Sequence, residues 1–199
     1  MLIAAAAVGV FAASIPPPRI FLSPEPEYLR LVRAYEWRWR ASSWSFVVST
    51  VLMAVGLLLV ATAALGGRAY GLAALGIFLV VAPCWLIALG LRLDLTVATA
   101  NGSVERPLYA AMGKWTGSLW AIYMVGGHFA VALLGASFIG DPRVPAWTAW
   151  TTAALGTVEG LAFWTGWPRL RSLGMRSVFE LPVLVPLVPL FVAIPLSFA

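Results

Sequence analysis

Six apolar runs, separated by short segments that hold most of the charge, organise the sequence: residues 1–15, 44–65, 70–91, 118–139, 145–167 and 178–198. A hydrocarbon core about 30 Å thick takes roughly 20 residues of helix, so the last five runs are long enough to cross one. The first stops at Pro16, Pro17 and Pro18, after about 22 Å at 1.5 Å per residue. It lacks the basic residues that precede the apolar stretch of a secretory signal peptide, and it reads as a short first span. If it is instead a re-entrant or interfacial segment, five spans remain. The expected fold is therefore an all-α integral membrane protein, a six-transmembrane-helix bundle forming one membrane domain over residues 1–199.

Between the first two runs the pattern becomes amphipathic. Ser23, Pro24 and Glu25 supply a cap hydroxyl, a first-turn proline and a carboxylate at the positive end of a helix. Tyr28, Leu29, Val32, Tyr35 and Trp39 then recur on one side, while Arg30, Arg33 and Glu36 project elsewhere and Glu36 is placed to pair with Arg40. An amphipathic helix over 24–42 is predicted on the cytoplasmic surface, with Arg30, Arg33, Arg38 and Arg40 among anionic headgroups. The alternative is a solvated helix packed on a partner. Further along, Asn101-Gly102 lies between short alternating stretches and signals a hairpin turn.

The last run carries Pro182, Pro186 and Pro189. In a helix these share one stripe and each removes a backbone bond, so a kinked or partly unwound segment is expected. Ser177 and Glu180 fit a capping box at its start. Broken helices persist in membranes only where protein or a cavity satisfies the freed carbonyls, which points to a transporter-like site or to an irregular helix packed on a partner subunit.

Composition places the chain in a bilayer. With 61% hydrophobic residues, 11% charged and a mean hydropathy of +0.91, it is far more apolar than a soluble domain, which has about 25% charged residues. Of the 13 Lys and Arg, eleven fall in alternate segments: Arg19, Arg30, Arg33, Arg38 and Arg40, then Arg92, Arg106 and Lys114, then Arg169, Arg171 and Arg176. The other two connections hold only Arg68 and Arg143. Basic residues stay on the cytoplasmic side, so a multi-pass protein of the cell membrane is expected, with both termini outside. Trp37, Trp39, Trp44, Trp115, Trp120, Trp164 and Trp167 gather near predicted inner ends, and Trp147 and Trp150 near an outer one, as interfacial aromatics do. The net charge of +5 then has anionic headgroups, not nucleic acid, as its partner. The single Cys84 allows no disulfide or cysteine metal cluster within one chain.

Two ionisable side chains fall well inside predicted spans, His128 and Glu159. Counting from Arg143, they lie fifteen residues back and sixteen forward, so antiparallel neighbours joined by a short connection bring them to similar depth. A facing, hydrogen-bonded pair is expected, because a lone carboxylate in hydrocarbon costs several kcal/mol or stays protonated. Such a pair serves as a polar clasp, a proton relay or a ligand contact. Thr148, Thr152, Gly156 and Glu159 form a polar stripe on one helix side, lining a water-filled entry or marking a buried face. Gly156 and Gly160 sit at the spacing that lets another helix approach closely. Gly126 and Gly127 beside His128 would admit a flat macrocycle, so a haem or chlorophyll-type pigment with one axial histidine is a third possibility.

No phosphate loop, paired-histidine or paired-carboxylate metal pattern or nucleophile elbow is present, and the only lysine, Lys114, lies in a connection. No catalytic residue and no metal ligand set is expected. The leading expectation is a non-catalytic subunit or scaffold, packing with other membrane subunits or with copies of itself. The main alternative is a small transporter or receptor for an apolar or weakly acidic molecule, using His128 and Glu159.

Overall fold

The structure, a computed structural model, describes residues 1–165 and 184–198, and the regular structure among them is entirely helical. In chain order the helices are α1 (Leu2–Ser14), α2 (Arg19–Leu22), α3 (Glu25–Ala34), α4 (Glu36–Ala63), α5 (Arg68–Ala100), α6 (Arg106–Ser137), α7 (Ala146–Thr165), α8 (Leu184–Leu187) and α9 (Leu190–Leu196). Three of them, α4, α5 and α6, are long and apolar enough to cross a membrane. With 20 residues α7 has the length, but its threonines, tryptophans and Glu159 make it less apolar. The first run forms α1, 13 residues and about 20 Å long.

The segment 92–116, expected to be a connection with a hairpin turn, is mostly helix. At 33 and 32 residues, α5 and α6 extend about 50 Å, well past the thickness of a hydrocarbon core. The alternating stretches beside Asn101 are too short to outweigh helix propagation, and the turn shrinks to residues 101–105. Asn101 caps α5, and Gly102 follows with φ +81°. Its N–H bonds Thr99 O at 3.0 Å, and that of Ser103 bonds Ala98 O at 2.8 Å, so a left-handed glycine satisfies the last carbonyls of the helix.

The helix expected over 24–42 is split at Tyr35, where φ is −122° and ψ is 36°. From Glu36 onward the chain runs without a break into the apolar part of α4, whereas α3 turns aside to place its buried Leu31 and Val32 with Ile20, Trp39 and Val97 in a cluster of their own. The apolar side of α3 is thus covered by α5, and Arg30 and Arg33 remain exposed. Glu36 ties the pieces together, accepting from Arg40 Nε at 2.8 Å and from Asn101 Nδ2 at 3.2 Å.

Each long helix packs on its neighbours in sequence, with α1 against α4. Ser49 Oγ donates to Ala5 O at 2.7 Å, joining α4 to α1. At the opposite end from Gly102, a Cβ on Gly71 would lie 2.9 Å from Ala61 Cα, and one on Gly67 would collide with the Ser137 backbone. The described part of the proline-rich run forms α8 and α9, broken at Val188-Pro189. Helix α9 touches both α7 and α1, and α8 touches α1, α4 and α6, so the row closes into a ring with Val185 and Val192 fully buried.

One ion pair locks the α4 and α6–α7 ends together. Arg143 grips the Asp141 carboxylate through Nε at 3.0 Å and a terminal nitrogen at 2.7 Å, and the same nitrogen donates to Ala63 O at 2.6 Å, the C-terminal end of α4. The Arg143 guanidinium, followed by its backbone N–H, holds the Asp141 carboxyl at about 2, below its ordinary 3.8. A depressed carboxyl stabilises the fold fully above its unfolded value, and this contribution fades as pH falls from 3.8 towards about 2. Asp141→Asn should therefore melt below wild type in detergent at neutral pH, and the gap should close across that window. A gap that stays constant on acidification would show that the carboxylate charge is not what matters.

Candidate functional site

The turn after α6 sends α7 back along it, and glycines bring the two backbones into contact. A Cβ on Gly156 would lie 2.5 Å from Ala132 N and 2.7 Å from His128 O, and one on Gly135 would collide with the Ala153 backbone. A Cβ on Gly160 would lie 3.3 Å from the Phe129 ring. This close approach fixes the rotation of α7 against α6 and aims Glu159 at His128.

His128 Nδ1 and Glu159 Oε2 are 2.8 Å apart, with the side chains 0% and 13% exposed. The approach lacks hydrogen-bond geometry, and both ring nitrogens and Oε2 are buried without a hydrogen-bond partner. Phe163 lies parallel to the imidazole, centroids 5.6 Å apart at 7°, and Trp120 meets Phe163 edge-on. An imidazole against a carboxyl, with one apolar ring stacked on it, can hold or pass a proton, or present a polar edge to a small ligand. The space beside Gly126 and Gly127 is already filled, by Val81 and Val185 side chains. No group of three His, Cys, Asp or Glu positioned for a metal occurs among the described residues.

Thr148 and Thr152 are buried, and their hydroxyls donate to Pro145 O at 2.7 Å and Thr148 O at 2.8 Å, on their own helix turn. Arg30, Arg33 and Arg40 are exposed, and Arg38 lies over Tyr35 and Trp37 at 5.6 and 5.3 Å from the ring centres. Pro186 lies within α8 and Pro189 just before α9. Pro182, Ser177, Glu180, Trp167, Arg169, Arg171 and Arg176 lie outside the described residues. No known protein family, curated protein or solved structure matches the chain.

Sequence reading missed two features. Gly135 is as deep in the α6–α7 contact as Gly156, and the small residues Ala132, Gly135 and Ala136 were its signal. Arg92, read as a cytoplasmic end charge, stacks on Trp39 with its guanidinium carbon 3.8 Å from the ring centre. Nothing in linear spacing reveals that contact, since 53 residues separate the two.

The His128 and Glu159 contact is open to a double-mutant cycle. His128→Leu or Glu159→Leu alone removes the 2.8 Å contact and leaves the other polar group facing an apolar side chain, which should cost roughly 1–3 kcal/mol. The double variant should cost no more than the worse single one; simple additivity would mean the two side chains do not interact.

Proposed function

We propose that this chain is a multi-pass membrane protein that works as a non-catalytic packing subunit, with other membrane subunits or with copies of itself. The observation that carries this reading is how interior polar groups are used. Hydroxyls of Ser43, Thr50 and Thr152 donate to carbonyls of their own helices, that of Thr148 to Pro145 O just ahead of α7, and that of Ser49 to α1. The His128–Glu159 contact sits where two backbones touch, as a register-setting clasp would.

Several observations support a bilayer around all six apolar runs, with α1 and the 184–198 segment as the short members. Val51, Leu58, Leu79, Val80 and Val158 are exposed along the long helices. Trp37, Trp44, Trp115 and Trp164 are exposed towards one end, and Trp147 and Trp150 towards the other, as in interfacial belts. The exposed arginines of α3 and early α4 favour the first end as the cytoplasmic one, with α3 at headgroup level. Two measurements test the reading. In a Cys84→Ser background, an impermeant thiol reagent outside intact cells should label Pro142→Cys and spare Ser103→Cys; the opposite pattern inverts the orientation. Purification in mild detergent should yield an oligomer or companion chains, and a lone monodisperse monomer would overturn the scaffold role.

A second reading rests on a separate observation. His128 Nε2 is buried without a hydrogen bond, and buried polar atoms are normally satisfied. A small weakly acidic molecule carried or sensed at this point would supply the missing partner. Solute-dependent or pH-dependent flux in vesicles, lost in Glu159→Gln, would favour it over the scaffold.

A further inference from the structure

Where α4 begins, a cavity of about 400 Å³ lies between α3, α4, α5 and α6, within the roughly 300–1,000 Å³ usual for ligand sites. Its lining changes character along the bundle axis. Phe46, Trp85 and Trp120 stand towards the apolar part of the helices, and Arg92, Thr96 and Tyr109 stand towards the Gly102 turn. Among its described lining residues Arg92 carries the only formal charge.

The cation is held in place. Its guanidinium stacks on Trp39 and donates to Ser42 Oγ at 3.3 Å, and the Trp39 indole N–H donates back to Arg92 O at 3.1 Å. Gly113 and Gly117 also line the cavity, and a Cβ on either would meet nothing within 4 Å. They differ in this from Gly135 and Gly156, where backbones touch. Here the missing side chains leave room that no packing contact requires.

A fixed guanidinium at the hydroxyl-bearing end of an otherwise aromatic chamber complements an oxyanion carried on an apolar body. We propose that this cavity binds an anionic amphiphile, with its phosphate or carboxylate on Arg92 and its apolar part against Trp85 and Trp120. The site stands apart from the scaffold reading, because its occupant is a small amphiphile and not a partner chain.

The tryptophans of the wall supply the readout. The full chain in detergent is titrated with brominated phosphatidylglycerol, brominated phosphatidylcholine or dibromostearate, and quenching of its fluorescence is followed. At least one anionic probe should half-saturate at about ten-fold lower concentration than the zwitterionic lipid. The tighter of the two anionic probes identifies the head as phosphate or carboxylate. Arg92→Gln should erase the preference, and Gly117→Leu, whose added Cβ meets nothing within 4 Å, should weaken anionic quenching several-fold. Should Arg92→Gln fail to fold, Gly117→Leu still decides. Equal affinity for anionic and zwitterionic probes, or unchanged quenching in Gly117→Leu, would overturn the proposal. Displacement by inorganic phosphate at the lipid's own concentration would also do so, by making the site one for a bare anion.

Discussion

Inside a bilayer an apolar side chain gains little by leaving lipid for another helix, so helices associate through close van der Waals packing and the polar contacts it permits. Backbone proximity at glycine is the constraint on which this architecture depends. At Gly135 and Gly156 the α6 and α7 backbones meet with no room for a Cβ, and that single register positions Glu159 against His128, Phe163 over the imidazole, and the α7 threonines on a buried face. Gly67 and Gly71 do the same between the far ends of α4, α5 and α6. Polar groups follow the packing: Arg143 reaches the end of α4 only because the connections have been drawn together.

The two ends of the bundle are built on different chemistry. One is closed by an ion pair, Asp141 with Arg143, and by tight glycine turns. The other is built from aromatic rings around a cation: Tyr28 meets Trp39 edge-on at 5.6 Å, Trp39 carries Arg92, and Trp85 stacks on Tyr123 at 5.3 Å. The chamber beside Arg92 lies among these rings, with Gly113 and Gly117 completing its wall.

How far the sequence could be read follows from what each pattern encodes. The runs 44–65, 70–91 and 118–139 fall in α4, α5 and α6 apart from two residues at the end of the first and of the last, because a long, mostly apolar stretch has few physical solutions other than a helix. Helix ends were less legible. Hydropathy marks where the apolar stretch stops, not where hydrogen bonding stops, so the continuation of α5 to Ala100 and the start of α6 at Arg106 were hidden. The break at Tyr35 was hidden too, since the residues on either side keep the same helical period. Counting from Arg143 gives the depth of His128 and Glu159 but not their rotation, which is a property of the glycine contact. Arg92 was visible only as a charge, because what surrounds it comes from three other helices.

The ring of helices is completed by a segment that follows every other member in the chain. Val185 fills the space beside Gly127, and α9 bridges α7 to α1. During synthesis α1 to α7 emerge first, and they must wait with an open seam between the first helix and the seventh. The surfaces of α1 and α7 that α9 covers stay open until residues 184–198 are made. The member that closes the ring is thus the last one made, and it is a segment broken at Val188-Pro189.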